Sequence, residues 1–191
     1  VSNALEFRMR GVSNNTAGGT ITINNCGSIN MSKDTLVANV AVTNITGSGD
    51  DVFYQNKVTG SFTLSDDIAN GAGIFSGGNT INGATAYTLN SAASFNTSAG
   101  GQGKDIHNGS FSLTRNGTGS FVIAKDNDVE WNGDVILNYS SFVNYNPANK
   151  IIIGGSGNSS IEQLGTAEVL IPNLQLNKSG GTAFSLSSPL Y

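Results

Sequence analysis

The ionic chemistry of this 191-residue chain is sparse: thirteen Asp and Glu, nine Lys and Arg, and one histidine. Spacing decides what these groups can do. Asp126-Asn127-Asp128-Val129-Glu130 puts carboxylates at alternate positions. On a strand, alternate side chains share a face, so Asp126, Asp128 and Glu130 are candidate Ca²⁺ ligands. Trp131 occupies the place where a calcium loop needs glycine, so solvated turn carboxylates are the simpler reading. Asp66-Asp67 has the composition of a glycosidase acid–base pair. Neighbours on a strand point to opposite faces, however, and Lys57 is the cation near them. His107 stands beside Lys104, Asp105 and Asn108. One histidine cannot build a His-based metal cluster, and no Gly-x-Ser-x-Gly elbow accompanies it, so a surface histidine is expected. The lone Cys26 cannot form an internal disulfide and reads as a small buried hydrophobe. Phe53, Tyr54, Tyr87, Tyr139 and Tyr145 are the aromatics available to stack on sugar rings, though such residues in β proteins more often belong to the core. The expectation is a non-enzymatic chain with no cofactor, Ca²⁺ being the one weak candidate.

Composition excludes further classes. Net charge is -4 and the cations form no stripe, which argues against nucleic acid. No apolar run approaches the roughly 18 residues of a membrane-spanning helix. The chain opens at Val1 without a basic-then-apolar leader, as a processed product or part of something longer would.

The elements that hold these residues are short. Gly, Asn, Ser and Thr number 25, 25, 23 and 16, which disfavours helix and suits frequent turns. Thr20–Asn24, Ser61–Ser65 and Ser110–Thr114 alternate strictly, and Val40–Val42, Phe121–Ile123, Val135–Leu137, Ile151–Ile153 and Val169–Ile171 are apolar triplets. Leu174–Leu176 and Phe184–Leu186 complete a series of predicted strands. Gly-Gly and Asn-Gly pairs between them, such as Gly100-Gly101 and Asn108-Gly109, are expected to turn through positive φ. Ile161–Leu164, after Asn158-Ser159-Ser160, has the makings of one helical turn.

Turns this frequent predict an all-β chain: a parallel β-helix or solenoid of short strands, with coils of about 20–25 residues, forming one elongated domain over 1–191. Stacked coils place like side chains over each other about 4.8 Å apart, which suits Asn, Ser and Thr ladders and penalises repeated charge. No strict period emerges from the predicted strands, and a β-sandwich with strand donation between subunits is the alternative.

Three stretches carry a resemblance: Trp131–Leu137, Asn149–Gly157 and Asn173–Thr182. Each is similar to phrases in the large repetitive secreted surface and adhesin-like proteins of Bacteroidota. The resemblance covers the last third clearly and the rest in style. It implies an extracellular, non-enzymatic β-solenoid on the cell surface. It also gives Asp34-Thr35-Leu36 a meaning, since the O-glycosylation pattern of that group is Asp, then Ser or Thr, then an apolar residue; Thr35 is the candidate. The nine Asn-x-Ser/Thr sequons are what this composition produces by chance. Head-to-tail assembly with further copies is expected through the apolar terminal residues Val1, Leu5, Phe7, Leu186, Leu190 and Tyr191. The expected function is a structural subunit of an extracellular filament or surface adhesin. A carbohydrate-binding adhesive module is the alternative, and a polysaccharide-degrading β-helix the third choice.

Overall fold

The computed structural model describes residues 6–47, 49–66, 73–139, 143–164 and 173–187. Every strand pairing among them is parallel, and the chain winds as a β-solenoid of about seven turns. Parallel pairing follows from the punctuation. Corners of a few residues redirect the chain without reversing it, so each strand meets its equivalent one coil later. Equivalent residues lie 21 (Ile74, Phe95) to 26 (Thr85, Phe111) positions apart, shortening to 19 between Ile21 and Val40.

Each full coil carries one strand on each of three faces. The first face is a seven-stranded sheet running from Phe7–Arg10 through Ile29–Ser32, Asp51–Tyr54 and Phe121–Ile123 to Val143–Tyr145. The second face includes Thr80–Ile81, Asp105–His107, Val129–Trp131 and Ile151–Ile153, and ends at Leu174–Leu176. The third includes Phe62–Asp66, Thr85–Leu89, Phe111–Arg115, Val135–Tyr139 and Ser159–Gln163, and ends at Phe184–Leu186. Two long strands, Ser13–Cys26 and Thr35–Ile45, pass from the second face onto the third and join them into one 14-stranded sheet. The strand over Ser159–Gln163 replaces the expected helical turn. Ile161 sits in register with Val135 and points inward, so the ladder overrides a weak local preference. The predicted strand Val169–Ile171 lies outside the described residues.

Alternation puts one apolar column after another inside. Phe53, Phe62, Tyr87, Phe95 and Phe121 form a continuous run of ring contacts with centroids 4.6–5.9 Å apart. Phe111 branches from Tyr87 and stacks on Trp131 at 5.2 Å. Each such pair adds about 0.5–1.5 kcal/mol beyond area burial.

The corner between the first and second faces is held differently. Gly11, Lys33, Gln55 and Gly78 turn through left-handed backbone, and the residue that follows the last three is Asp34, Asn56 or Asn79. With Asp105 these side chains form a buried ladder. The Val12 amide donates to Asp34 Oδ1 (2.7 Å), the Asp34 amide to Asn56 Oδ1 (3.1 Å), the Asn56 amide to Asn79 Oδ1 (2.9 Å) and the Asn79 amide to Asp105 Oδ1 (3.0 Å). The side-chain amides of Asn56 and Asn79 also donate to the next Oδ1, at 3.0 and 2.9 Å. Side chains thus accept from backbone amides that the corner turns away from any carbonyl.

The Asn-Gly corners correct the expectation of positive φ. Gly-Gly glycines such as Gly100 and Gly101 are left-handed, whereas Gly83, Gly109 and Gly133 are not. Their requirement is closeness. A Cβ on Gly109 would stand 2.4 Å from Gly83 O, and one on Gly133 would stand 2.6 Å from Gly109 O. The glycines stack so that one coil's corner rests on the next.

Asn79→Ala should lower stability by about 2 kcal/mol, because it orphans the buried Asn56 amide, at roughly 1–3 kcal/mol, and removes a side-chain donor from the Phe53 carbonyl. Denaturant titration would measure it. A loss under 1 kcal/mol would mean water replaces the ladder.

Candidate functional site

The structure separates the residues that spacing had grouped. Asp126 accepts from the Gly100 amide at 2.6 Å, Asp128 from the Lys150 amide at 2.8 Å, and Glu130 pairs with Lys104 at 2.5 Å. Each carboxylate ties its own coil to a neighbour. No group of three His, Cys, Asp or Glu suited to a metal ion occurs among the described residues. The Ca²⁺ candidates are therefore ties between coils, Asp126 and Asp128 at a corner and Glu130 on a strand.

Asp66 is fully buried and accepts from Ser91 Oγ at 2.5 Å; Asp67 lies outside the described residues. A buried carboxylate engaged in this way is poorly placed to meet a glycosidic bond in solvent. His107 corrects the surface expectation. It is 1% exposed, its Nδ1 lies 2.9 Å from Thr85 Oγ1, and its ring packs edge-on against Phe111. Burial alone pushes its pKa down to about 3. The alternation of strand Asp105–His107 points both end residues inward, a placement that a lone polar residue in a short strand does not announce.

Phe53, Tyr87 and Tyr139 are core residues, each no more than 2% exposed. Tyr54 alone among the sugar-stacking candidates with described side chains is half-buried rather than buried. The side chain of Tyr145 lies outside the described residues. Cys26 is buried and free, and burial raises its thiol pKa, with the Asp51 carboxylate adding to the rise. Thr35 is exposed on the second face, but both its neighbours are consumed by the fold: Asp34 is a rung of the buried ladder and Leu36 is core. A modifying enzyme acting on the folded chain would meet the Thr35 hydroxyl without the Asp34 carboxylate.

Of the assembly residues, Phe7 is half-buried in the strand that borders the first face at one end. Leu186 is 47% exposed, in the strand that borders the third face at the other end. Val1, Leu5, Leu190 and Tyr191 lie outside the described residues. Leu176, 54% exposed, accompanies Leu186 on the outermost described strand of the second face. Sequence reading missed Leu176 as an end residue because its strand resembles the interior ones.

One interior cavity of about 10 Å³ lies between Asn56, Asn79 and Tyr87, close to the size of a single water. A surface groove of about 210 Å³ beside Gly18, Asn39 and Gly60 is lined without an ionisable group. No helix of the described residues is long and apolar enough to cross a membrane. Against known proteins, the chain matches no family model, no curated protein and no solved structure.

Two buried groups give stability opposite pH slopes. Burial first, then the Asp66 and Asp50 charges, push Asp51 up to about 7, against the pull of its bond from the Ile29 amide. The folded protein therefore holds a proton on Asp51 that the unfolded chain releases near 3.8. That contribution is complete below about pH 3.8 and is lost as pH rises through 7. His107 works the other way, because only the unfolded chain takes up its proton between pH 6.5 and 3. Asp51→Asn should raise the melting temperature at pH 8 and leave it nearly unchanged at pH 4. Calorimetry across this range checks it, and parallel profiles for the two proteins would refute it.

Proposed function

We propose that this chain is a structural subunit or repeat of an extracellular bacterial filament or surface adhesin, assembling head to tail along the solenoid axis. The observation that carries the reading is the continuity of the backbone ladders. All three faces are parallel sheets, and the outermost described strands, Phe7–Arg10 at one end and Leu174–Leu176 and Phe184–Leu186 at the other, each pair on one side only among the described residues. An unpaired edge is a template for another strand. Leu176 and Leu186 add exposed apolar surface at that edge, and burying each against a further coil would contribute on the order of 1 kcal/mol.

The interior supports a mechanical role. Asp51, Asp105 and His107, whose pKa values burial perturbs, are inside the coil stack, where they hold structure and cannot reach a solute. The resemblance of Trp131–Leu137, Asn149–Gly157 and Asn173–Thr182 to secreted surface proteins favours the extracellular setting. Low charge with abundant Asn, Ser and Thr suits an exposed fibre, whose solubility rests on neutral polar side chains.

In sedimentation over rising concentration, the wild-type chain should form species longer than a monomer, seen as filaments by negative-stain microscopy. Leu186→Asp, which places a charge on the outermost strand of the third face, should reduce that association at least tenfold. A wild-type chain that stays sharply monomeric at high concentration would remove the proposal.

A further inference from the structure

The outward side of the third face differs in kind from the other two. Apart from an irregularity at Thr43-Asn44, its strands pair in register, so outward side chains fall into columns two residues apart. One column runs Thr22, Ala41, Thr63, Ala86, Ser112. The flanking columns begin at Thr20 and Asn24 and reach Ser110 and Thr114 in the same coil as Ser112. Across these five coils every outward position of the three columns is Thr, Ser, Asn or Ala, and none is buried. Charge re-enters only in later coils, with Asp134 and Glu162. The second face, by contrast, sets Thr35, Lys57, Thr80, Ile106 and Glu130 in one outward column, and the first presents Arg8, Val52 and Phe75.

We infer that this face binds ice. The grid places small neutral side chains about 4.8 Å apart between coils and roughly 6.7 Å apart along a strand, with hydroxyls on alternate coils in two of its three columns and on four successive coils, Thr43 to Thr114, in the third. Both spacings are close to the oxygen repeats on a prism face of hexagonal ice. A polyanion or charged mineral would need ions here. A sugar polymer would need an aromatic platform, and the rings of this face, Phe62, Tyr87 and Phe111, all point inward. A protein partner would want large anchors such as Trp, Tyr or Arg. Hydroxyls in a rigid array can instead hold water at lattice positions, while the adjacent methyls limit its orientations. Rigidity comes from the inward columns: Phe62, Thr85 and Phe111, one position from Thr63, Ala86 and Ser112, are at most 4% exposed. The inference is independent of axial assembly, since the grid lies along the side of the stack.

The test is partition of the fluorescently labelled full chain into slowly growing ice, alongside an inert protein of similar size. Wild type should enrich in the ice several-fold over that control and facet the crystals. Thr63→Tyr/Thr88→Tyr, which raises two bulky rings above the grid, should fall to the control level with an unchanged circular dichroism spectrum. Thr80→Tyr on the second face should enrich as wild type does. Wild type at the control level overturns the inference, and that result needs no variant. So does undiminished enrichment of the double variant, or a side-by-side dimer in solution that the double variant abolishes.

Discussion

Parallel stacking at one fixed spacing is the constraint from which the rest follows. Each side chain stands about 4.8 Å from its equivalents in the coils above and below, so every position is tested for compatibility with itself. Two like charges at that distance repel by about 1 kcal/mol even in water, and by more where protein displaces solvent. The described strands obey this closely. Lys57 and Thr80 share a column, as do Glu130 and Ile152, and no charge stands directly over one of like sign. Ahead of the second face, Lys104, Asp128 and Lys150 fall one position before the paired residues Asp105, Val129 and Ile151, so their signs alternate. The scarcity of charge is thus a cost of repetition, and the abundance of Asn, Ser and Thr is its complement. These side chains both donate and accept, or do so through a rotating hydroxyl, and can therefore bond to copies of themselves.

The buried corner ladder shows how far that logic extends into the interior. Asn can continue a column indefinitely, because its amide donates forward while its carbonyl accepts from behind. Asp can only accept. The two carboxylates of the ladder are its first and last rungs, Asp34 and Asp105, with Asn56 and Asn79 between. Asp105 is closed off by the Ser98 amide at 2.7 Å, and beyond it the column turns apolar with Val129 and Ile151. Burial raises the pKa of both carboxylates, most simply because a charge there has no water to face. At Asp105 the ladder changes from amide to carboxyl, where no further rung needs a donor.

What the sequence makes legible follows from which columns obey simple alternation. Phe121–Ile123, Ile151–Ile153, Leu174–Leu176 and Phe184–Leu186 are strands at the predicted bounds, and the solenoid itself is legible from composition and turn frequency. The middle coils of the second face, from Lys57–Val58 to Val129–Trp131, are nearly invisible. Their strands are two or three residues long, and Asp105–His107 turns two ionisable side chains inward, the reverse of what polarity suggests. Asp51–Tyr54 hides for the same reason, since Asp51 occupies the core column between Ile29 and Ile74. The coil length of about 20–25 residues was legible, but its regularity was not: a reader who finds one strand in three measures the distance between faces, not between coils. Candidate sites fared worst. Asp126, Asp128 and Glu130 share a face in the abstract, yet Asp126 and Asp128 lie in a corner and Glu130 in a strand, and the first and last tie to the preceding coil while Asp128 ties to the next.

The same division decides where function can be written in such a molecule. Inward columns and corners are committed to folding, and their chemistry is spent there. Outward columns are constrained only by self-compatibility, which tolerates charge when signs alternate or neutral rungs intervene. The second face uses that tolerance, with Lys57, Lys104 and Glu130, and the first does so with Arg8. Over five coils the third face does not use it at all. Stacking rules are common to all three faces and cannot account for a difference between them. The neutral, small-residue grid from Thr20 to Thr114 is therefore a property beyond what the fold requires, and a neutral surface whose rows repeat in two directions is suited to a partner that is itself periodic.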